Sequence, residues 1–246
     1  MSGSAELPRV LLIDDDPSIR RLIVMALEDL PLTLISCENT LEAREVLARR
    51  TVDLIITDLM MPGETGASLL ESFVAQPALQ GAARLVVFSA MAARQQADNW
   101  PDLWAWLPKP SSIDALRGCV QGALNLSPNA AGAPSAAAPL DRRAEQQKAI
   151  AERFGGDLAL YNAFRLSCIR QFETDLARGE QASLAGDGQT LAQLAHNLKS
   201  VLALLGLPEG SAAAARLENA ASSSLSEQSA AWRSLRATVE SAMRED

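Results

Sequence analysis

The amino-acid sequence predicts an α/β domain, built on a doubly wound parallel sheet of five strands, followed by an all-α domain that forms a helical bundle. In the first half of the 246-residue chain, short apolar runs alternate with amphipathic stretches. In the second half, apolar residues recur at helical spacing. Residues 126–140 between the halves are rich in Ala, Pro, Gly and Ser and carry no charge, as is typical of a flexible linker. We therefore predict domains at residues 1–125 and 141–246.

The five apolar runs of the first half are predicted to be strands, and the stretches between them helices. They are VLLI (10–13), LTLI (32–35), DLIIT (53–57), RLVVF (84–88) and LWAWL (103–107). Strands that alternate with helices indicate a parallel sheet covered on both faces.

The second half is predicted to be helical throughout. The expected helices are 141–154, 157–179, 188–206, 209–222 and 226–244. Asp157 and Asp187 are candidate N-caps, and Gly206 and Pro208 mark the end of one helix and the start of the next. Four of these helices, packed antiparallel, would form a bundle.

Composition narrows the class of protein. The chain has 22 basic and 30 acidic residues and a formal charge of −8, which argues against nucleic acid as a direct partner. Its cysteines, Cys37, Cys119 and Cys168, lie far apart without metal-binding spacing, so reduced thiols in the cytoplasm are expected. The sequence starts without the pattern of a signal peptide, and no apolar run is long enough to span a membrane.

Chemically distinctive side chains follow four of the predicted strands. In chain order they are Asp14–Asp16, Asp58, Ser89 and Lys109. Because the carboxyl ends of parallel strands meet at one edge of a sheet, we expect these side chains to converge. Clustered carboxylates favour a bound cation, and ligation by oxygen alone suits Mg²⁺. A carboxylate beside Mg²⁺, a lysine and a hydroxyl is equipped to accept a phosphoryl group.

Each of these residues also has a simpler explanation when it is taken singly. Asp16 is expected to cap a helix that Pro17 opens. Asp58 could be an ordinary loop residue, Ser89 could cap a helix, and Lys109 could be a solvated surface residue. Their joint occurrence at one edge of the sheet favours the phosphoryl chemistry.

His196 is the one histidine of the chain and lies in the predicted helix 188–206. The core stripe of that helix comprises Leu191, Leu194, Ala195, Leu198, Val201, Leu202 and Leu205. His196 lies roughly 160° from the centre of this stripe, which predicts an exposed imidazole. Ser200 and Ala203 flank it with small side chains, and Lys199 can place an ammonium beside it. The alternatives are a nucleophile and an incidental surface histidine.

Residues 8–125 resemble a response-regulator receiver domain. The motifs LLIDDDPSIRRL, DLIITDLMMPGETG, VVFSA and LPKP occur in the order of that family. The resemblance implies a flavodoxin-like fold with Asp58 as the phosphoacceptor. It also implies that Asp15 and Asp58 bind Mg²⁺ through their side chains, the Met60 carbonyl as a third ligand, and Asp14 through water.

The same resemblance implies roles for three residues at the later strand ends. Ser89 would bind a phosphate oxygen and Lys109 would pair with the phosphate. Trp106 stands where the family usually has a switch Tyr or Phe, a departure from the pattern.

Residues 141–245 resemble a histidine phosphotransfer (HPt) domain. AHNLKSVLALLG and the later ARLENAA match its His-x-Leu-Lys-Gly and Leu-Glu motifs, with Ser200 in place of the usual glycine. The resemblance implies that His196 carries a phosphoryl group. Residues of docking and support would be Lys199, Ser200, Ala203 and Gly206.

Together these resemblances predict a two-component phosphorelay protein rather than an enzyme, since the sequence shows no nucleotide-binding loop of a kinase. The expected partners are a sensor histidine kinase or the receiver of a hybrid kinase, and a downstream response regulator. Two alternatives are a regulatory protein, in which receiver phosphorylation gates access to His196 without direct transfer, and an aspartyl phosphatase.

Overall fold

The computed structural model describes residues 6–90, 100, 103–126 and 142–244. The chain divides into two compact units, Met1–Ala131 and Gly132–Asp246. The predicted linker at residues 126–140 lies outside the described residues except for Leu126, so its extent remains a prediction.

The first unit contains the predicted parallel sheet. Its strands are β1 (Arg9–Ile13), β2 (Thr33–Cys37), β3 (Leu54–Thr57), β4 (Arg84–Ser89) and β5 (Leu103–Pro108). All paired strands run parallel, in the order β2-β1-β3-β4-β5. The β2 strand ends two residues later than predicted, because its pairing with β1 continues to the Ile13–Cys37 pair.

The helices of the first unit follow the strands. They are α1 (Pro17–Leu27), α2 (Thr40–Arg49), α3 (Gly66–Ala75), the short α4 (Pro77–Gln80) and α5 (Ile113–Leu124). The predicted helical stretch between β4 and β5 falls on residues 91–99, outside the part of the chain that the structure describes.

The inner strands β1, β3 and β4 are buried on both faces, as a sheet covered by helices requires, whereas the edge strands β2 and β5 are partly exposed. Residues 10–13 of β1 and 54–56 of β3 have no exposed surface. The strand order places β1 and β3 side by side, while the chain leaves them in opposite directions, toward β2 and β4. The carboxyl ends of β1 and β3 therefore form the switch point at which open α/β sheets bind ligands.

The second unit is a helical bundle. Its helices are α6 (Arg142–Arg153), α7 (Leu158–Ala185), α8 (Gly188–Leu204), α9 (Pro208–Ala220) and α10 (Leu225–Arg244). Contacts join α7 to α8, α8 to α9, α9 to α10 and α10 back to α7. The short connections make successive helices antiparallel neighbours, so these four helices form the predicted bundle.

Helix α7 is longer than predicted, because Gly179 does not end it. A Cβ at this position would lie 2.0 Å from Trp232 Cη2, so the glycine makes room for the indole of α10. The predicted caps are confirmed: Asp157 accepts a hydrogen bond from Leu160 N and Asp187 from Thr190 N.

Helix α6 packs on one end of the bundle. Gln146 donates to the hydroxyl of Tyr161, which in turn donates to the carbonyl of Leu205 at the end of α8. No helix of the described residues is long and apolar enough to cross a membrane.

Candidate functional site

Three aspartates follow β1 directly, and their backbone is held in a tight loop. Asp14 N donates to Cys37 O on the neighbouring strand, and Asp16 N donates to Asp14 Oδ1 at 3.0 Å. Asp16 caps α1 as expected, since its Oδ1 accepts from Ser18 N at 2.8 Å. Burial raises the pKa of Asp16 to about 7, and the charge of Asp14 adds to the effect. Asp16 thus serves as the N-cap of α1, as the sequence predicts.

Lys109 lies between the carboxylates that follow β1 and β3. Its Nζ donates to Asp14 Oδ2 and to Asp58 Oδ2, both at 2.6 Å, and all three side chains are at most 4% exposed. Burial raises the pKa of Asp14 to about 6, against the lowering effect of Lys109. Burial by itself lowers the pKa of Lys109, but the charges of both aspartates outweigh it and raise the pKa.

The same edge of the sheet has the ligands for a divalent cation. Asp14, Asp15 and Asp58 each offer a carboxylate oxygen, and these oxygens lie within 4.8 Å of one another. One lysine ammonium does not neutralise three carboxylates, so the cluster retains negative charge. Carboxylate oxygens without nitrogen or sulfur ligands suit Mg²⁺. The residues present therefore fit this ion.

The loop after Asp58 is held close to the end of β3. Met60 N donates to Asp58 Oδ1 at 3.1 Å, and Thr57 Oγ1 donates to Asp58 O at 2.8 Å. Gly66, the first residue of α3, approaches so closely that a Cβ there would lie 1.8 Å from Asp58 O. The start of α3 thus packs against the backbone of Asp58 without space for a side chain.

Ser89 and Trp106 lie on the two strands beyond β3. Ser89 is fully buried, its carbonyl accepts from Lys109 N, and its Oγ has no hydrogen-bond partner among the described residues. Trp106 packs partly buried against the core of the sheet, and its Nε1 is buried and unpartnered in the same part of the chain. A register shift in β5 leaves Trp104 47% exposed, although it lies two residues from Trp106.

In the second unit, His196 of α8 and Lys199 share one carboxylate on α9. His196 Nδ1 lies 2.8 Å from Glu218 Oε1, and Lys199 Nζ donates to Glu218 Oε2. A carboxylate can only accept, so the hydrogen of the neutral ring resides on Nδ1 and the lone pair on Nε2. Burial acts to raise the pKa of Glu218, but the hydrogen bonds from Lys199 and His196 hold it below its usual value.

The expectation of an exposed imidazole is wrong. The side chain of His196 is 16% exposed, and its Nε2 is buried without a hydrogen-bond partner among the described residues. Ser200, expected beside it on the surface, is 6% exposed. The helical wheel considers α8 alone, whereas α7 and α9 both pack against this helix. The predicted core stripe of α8, Leu191 included, is buried as expected.

Ala203 and Gly206 complete the set of residues singled out on this helix. Ala203 is half-buried. Gly206 has φ +74°, and a Cβ there would lie 2.8 Å from Glu145 O on α6. The glycine therefore serves the turn after α8 and the approach of α6.

Comparisons with protein families match the two units separately. The family described as "Response regulator receiver domain" matches residues 10–121, and the family "Hpt domain" matches residues 164–245. The chain carries a receiver domain and an HPt domain. The first match lies within the first compact unit and the second within the second unit.

Curated relatives match the receiver domain. The response regulator protein PilR of Pseudomonas aeruginosa is 32% identical over 127 residues, which are 51% of this chain and 28% of PilR. The DNA-binding transcriptional regulator NtrC of Escherichia coli is 33% identical over 120 residues, 47% of this chain and 24% of NtrC. The chain thus spans about a quarter of the length of these relatives.

Solved structures similar to this chain are also receiver domains. One, from an HD domain-containing protein of Pseudomonas fluorescens, is 25% identical and covers 49% of this chain and 96% of its own, with a TM-score of 0.45. The receiver domain of the Francisella response regulator 1452 is 27% identical and covers 48% and 97%, with a TM-score of 0.44.

Two residues of these sites were not assigned a role from the sequence. Glu218 belongs to the Leu-Glu motif of the HPt domain, and its contact with His196 joins two helices across 22 residues. Gly66 is the last residue of the receiver motif that contains Asp58. A glycine eight residues after this aspartate is a signal for a close approach of two backbone segments.

Proposed function

We propose that this protein relays phosphoryl groups, with Asp58 of the receiver domain and His196 of the HPt domain as the two carriers. The observation that supports this most is the convergence of Asp58, its neighbouring carboxylates and Lys109 at one edge of the sheet, in the same chain as a histidine held by a carboxylate. The partners would be a sensor histidine kinase or hybrid-kinase receiver and a downstream response regulator, in the cytoplasm.

Asp58 accepts the phosphoryl group from a phosphohistidine of a partner. A carboxylate oxygen of Asp58 forms the new P–O bond while the P–N bond breaks, and the imidazole leaves as a neutral ring that regains its lone pair. The ammonium of Lys109, now 2.6 Å from Asp58 Oδ2, pairs with a phosphoryl oxygen. The buried, unpartnered hydroxyl of Ser89 donates to another. Trp106 is our candidate for the side chain that changes conformation when Asp58 is phosphorylated.

Mg²⁺ supplies positive charge that offsets the negative charge of the transferring oxygens. Asp15 and Asp58 would hold it through their side chains, with the Met60 carbonyl as a third ligand and Asp14 acting through water. The proximity of the carboxylate oxygens of Asp14, Asp15 and Asp58 supports the three aspartates of this set. The N–H of Met60 donates to Asp58 Oδ1, so the backbone of Met60 begins beside the Asp58 carboxylate.

His196 carries the phosphoryl group on Nε2. The hydrogen bond from Nδ1 to Glu218 leaves the lone pair on Nε2, which forms the P–N bond as the bond to a partner aspartate breaks. The phosphorylated ring is cationic, and the carboxylate of Glu218 stabilises that charge. Lys199 leaves Glu218 to pair with the phosphate. Since Nε2 is covered in this structure, a docking partner must displace the side chains around it.

Labelled phosphotransfer tests the two assignments. With Mg²⁺ and a ³²P-labelled small acyl phosphate, we expect base-labile label on the unaltered chain and none on Asp58→Ala. With a panel of phosphorylated receivers, we expect acid-labile, base-stable label that is lost in His196→Gln. Asp53→Ala, at the opposite end of β3, is the matched control and should be labelled like the unaltered chain.

Each arm has an outcome that contradicts it. Base-labile label that persists on Asp58→Ala excludes this aspartate as the acceptor. Base-stable label that persists on His196→Gln excludes this histidine as the carrier. Steady Mg²⁺-dependent turnover of a generic phosphate ester would favour a phosphatase instead.

A further inference from the structure

A cluster of polar side chains ties the loop after Asp58 to helix α2. Arg44 Nη2 lies 2.6 Å from Glu64 Oε1, and Arg44 Nε lies 3.2 Å from Glu64 Oε2. Thr40 Oγ1 donates to Glu64 Oε2 at 2.9 Å, and Arg44 Nη2 also donates to Ser72 Oγ on α3. One loop carboxylate thus accepts hydrogen bonds from two side chains of α2.

This contact is stronger than an ordinary surface ion pair. Arg44 engages both oxygens of Glu64 in a fork, the geometry that gives arginine–carboxylate pairs their strength and direction. Thr40 is 2% exposed, so its hydroxyl is a buried donor that needs this acceptor. By contrast, Arg49 and Glu45 on the same helix meet in one contact of 3.9 Å, with both side chains well exposed.

The contact matters because Glu64 lies in the loop that follows Asp58. Glu64 lies in the loop that connects Asp58 to α3, in an exposed stretch that also contains Pro62 and Gly63. Nearer to Asp58, the loop contains Met60, whose amide bonds the Asp58 carboxylate. The side chain of Glu64 therefore links the exposed part of this loop to helix α2.

We propose that Arg44 and Glu64 are positioning residues of the receiver site. They hold the loop in the conformation that presents Asp58 and the Met60 backbone to Mg²⁺ and to the phosphoryl group. They act through the loop, not by contact with the reacting atoms. This inference rests on the proposed function of Asp58.

Calorimetric titration of the full chain with Mg²⁺ tests the proposal. We expect Arg44→Ala and Glu64→Gln to raise the Kd for Mg²⁺ about tenfold, as the loss of an outer partner of a metal site does. Removal of the positive charge of Arg44 by itself would strengthen cation binding, so weaker binding by Arg44→Ala cannot arise from charge alone. Glu64→Gln removes a negative charge, which by itself weakens cation binding, so its Kd is interpreted together with that of Arg44→Ala. Arg49→Ala removes the same charge from α2 without a contact to the loop, and should not weaken binding.

A second readout needs no metal. Without Mg²⁺, the amides of residues 59–65 should exchange with deuterium faster in Arg44→Ala and Glu64→Gln than in the unaltered chain or Arg49→Ala. The double variant Arg44→Glu/Glu64→Arg rebuilds the ion pair in reverse and should partly restore slow exchange and Mg²⁺ affinity, since an arginine at position 64 cannot accept the hydrogen bond of Thr40. Glu64→Gln keeps the volume and an acceptor for Thr40, and thermal unfolding verifies that this variant is folded.

The outcomes separate the two proposals. If the unaltered chain does not bind Mg²⁺, the proposed receiver site is wrong. If it binds Mg²⁺ and the Arg44 and Glu64 variants match it in both Kd and exchange, the positioning role is wrong and the receiver site stands. An Arg49→Ala variant as impaired as Arg44→Ala would also overturn the positioning role.

Discussion

The carboxylate of Asp14 is subject to two opposing influences. Its burial removes the water that would solvate the charge, which raises its pKa to about 6, while Lys109 at 2.6 Å favours the charged form. A carboxyl with a higher pKa in the folded than in the unfolded chain binds more protons when folded. Its contribution to stability is therefore fully present below about pH 4 and is lost as the pH rises through about 6.

An Asp14→Asn variant is expected to be more stable than the unaltered chain at neutral pH in the absence of metal. The gain in the free energy of unfolding should appear as the pH rises from 4 to 7 and reach up to about 3 kcal/mol. Urea unfolding in EDTA at several pH values measures it, followed by tryptophan fluorescence, to which the first unit contributes Trp100, Trp104 and Trp106 and the second unit Trp232. Since Arg117 lowers the pKa of Asp29, Asp29→Asn should instead lose stability relative to the unaltered chain as the pH rises to about 4, with little further change between pH 4 and 7. A gain for Asp14→Asn that does not change with pH would contradict the expectation.

The sequence predicted the contacts between individual residues of the receiver site, but not those of the HPt site. The strand ends bring Asp14, Asp58 and Lys109 to one edge whatever the details of packing. Glu218 could not be assigned to His196 in this way, because its place opposite α8 depends on how two helices are rotated against each other.

The junction of β3 and α3 depends on one glycine. The first turn of α3 packs on the backbone of Asp58, where a Cβ at Gly66 would lie 1.8 Å from the Asp58 carbonyl oxygen. A backbone atom cannot yield as the end of a flexible side chain can. Any larger residue must shift either α3 or the backbone of Asp58.

Gly66→Ala is expected to destabilise the receiver domain by on the order of 3 kcal/mol, because the added methyl overlaps the backbone of Asp58. Gly118→Ala is the matched control, since a Cβ at this helical position meets nothing within 4 Å. It should stabilise α5 by about 0.5–1 kcal/mol through helix propensity. Thermal unfolding measures both, and equal effects of the two substitutions would contradict the packing argument.

Helix α8 shows where periodicity is reliable and where it is not. The apolar stripe predicts its core face well, because a contiguous apolar face must be buried in any bundle. The opposite face was expected to be open, yet α9 brings Glu218 over His196 and Ser200 is buried. The sequence of one helix does not predict how many other helices pack against it.

On the scale of the whole molecule, the two compact units carry different chemistry. Met1–Ala131 contains the carboxylate cluster and Gly132–Asp246 contains the histidine, and each has its own apolar core. A ligand that binds one folded unit stabilises that unit by mass action. Mg²⁺ should therefore act on the unit that carries the acidic cluster.

Scanning calorimetry of the full chain is expected to show that Mg²⁺ raises the unfolding temperature of the first unit alone. At a concentration 100 times the Kd, the stabilisation should be about 2.7 kcal/mol. Asp58→Ala should diminish this shift, whereas His196→Gln should leave it unchanged. A shift that survives unchanged in Asp58→Ala would contradict the assignment of the ion to this cluster.

The sequence by itself determined the division into an α/β and an all-α region, the strands, the core stripe of α8 and the convergence of Asp14, Asp58 and Lys109. These follow from local periodicity and from the geometry common to parallel sheets. Only the tertiary structure decided the burial of His196 Nε2 and the hydrogen bond between His196 Nδ1 and Glu218. The same is true of the close approach of Gly66 to the Asp58 backbone and of the ion pair between Arg44 and Glu64. Each of these depends on the rotation and distance between two packed elements, which no periodicity within one element records.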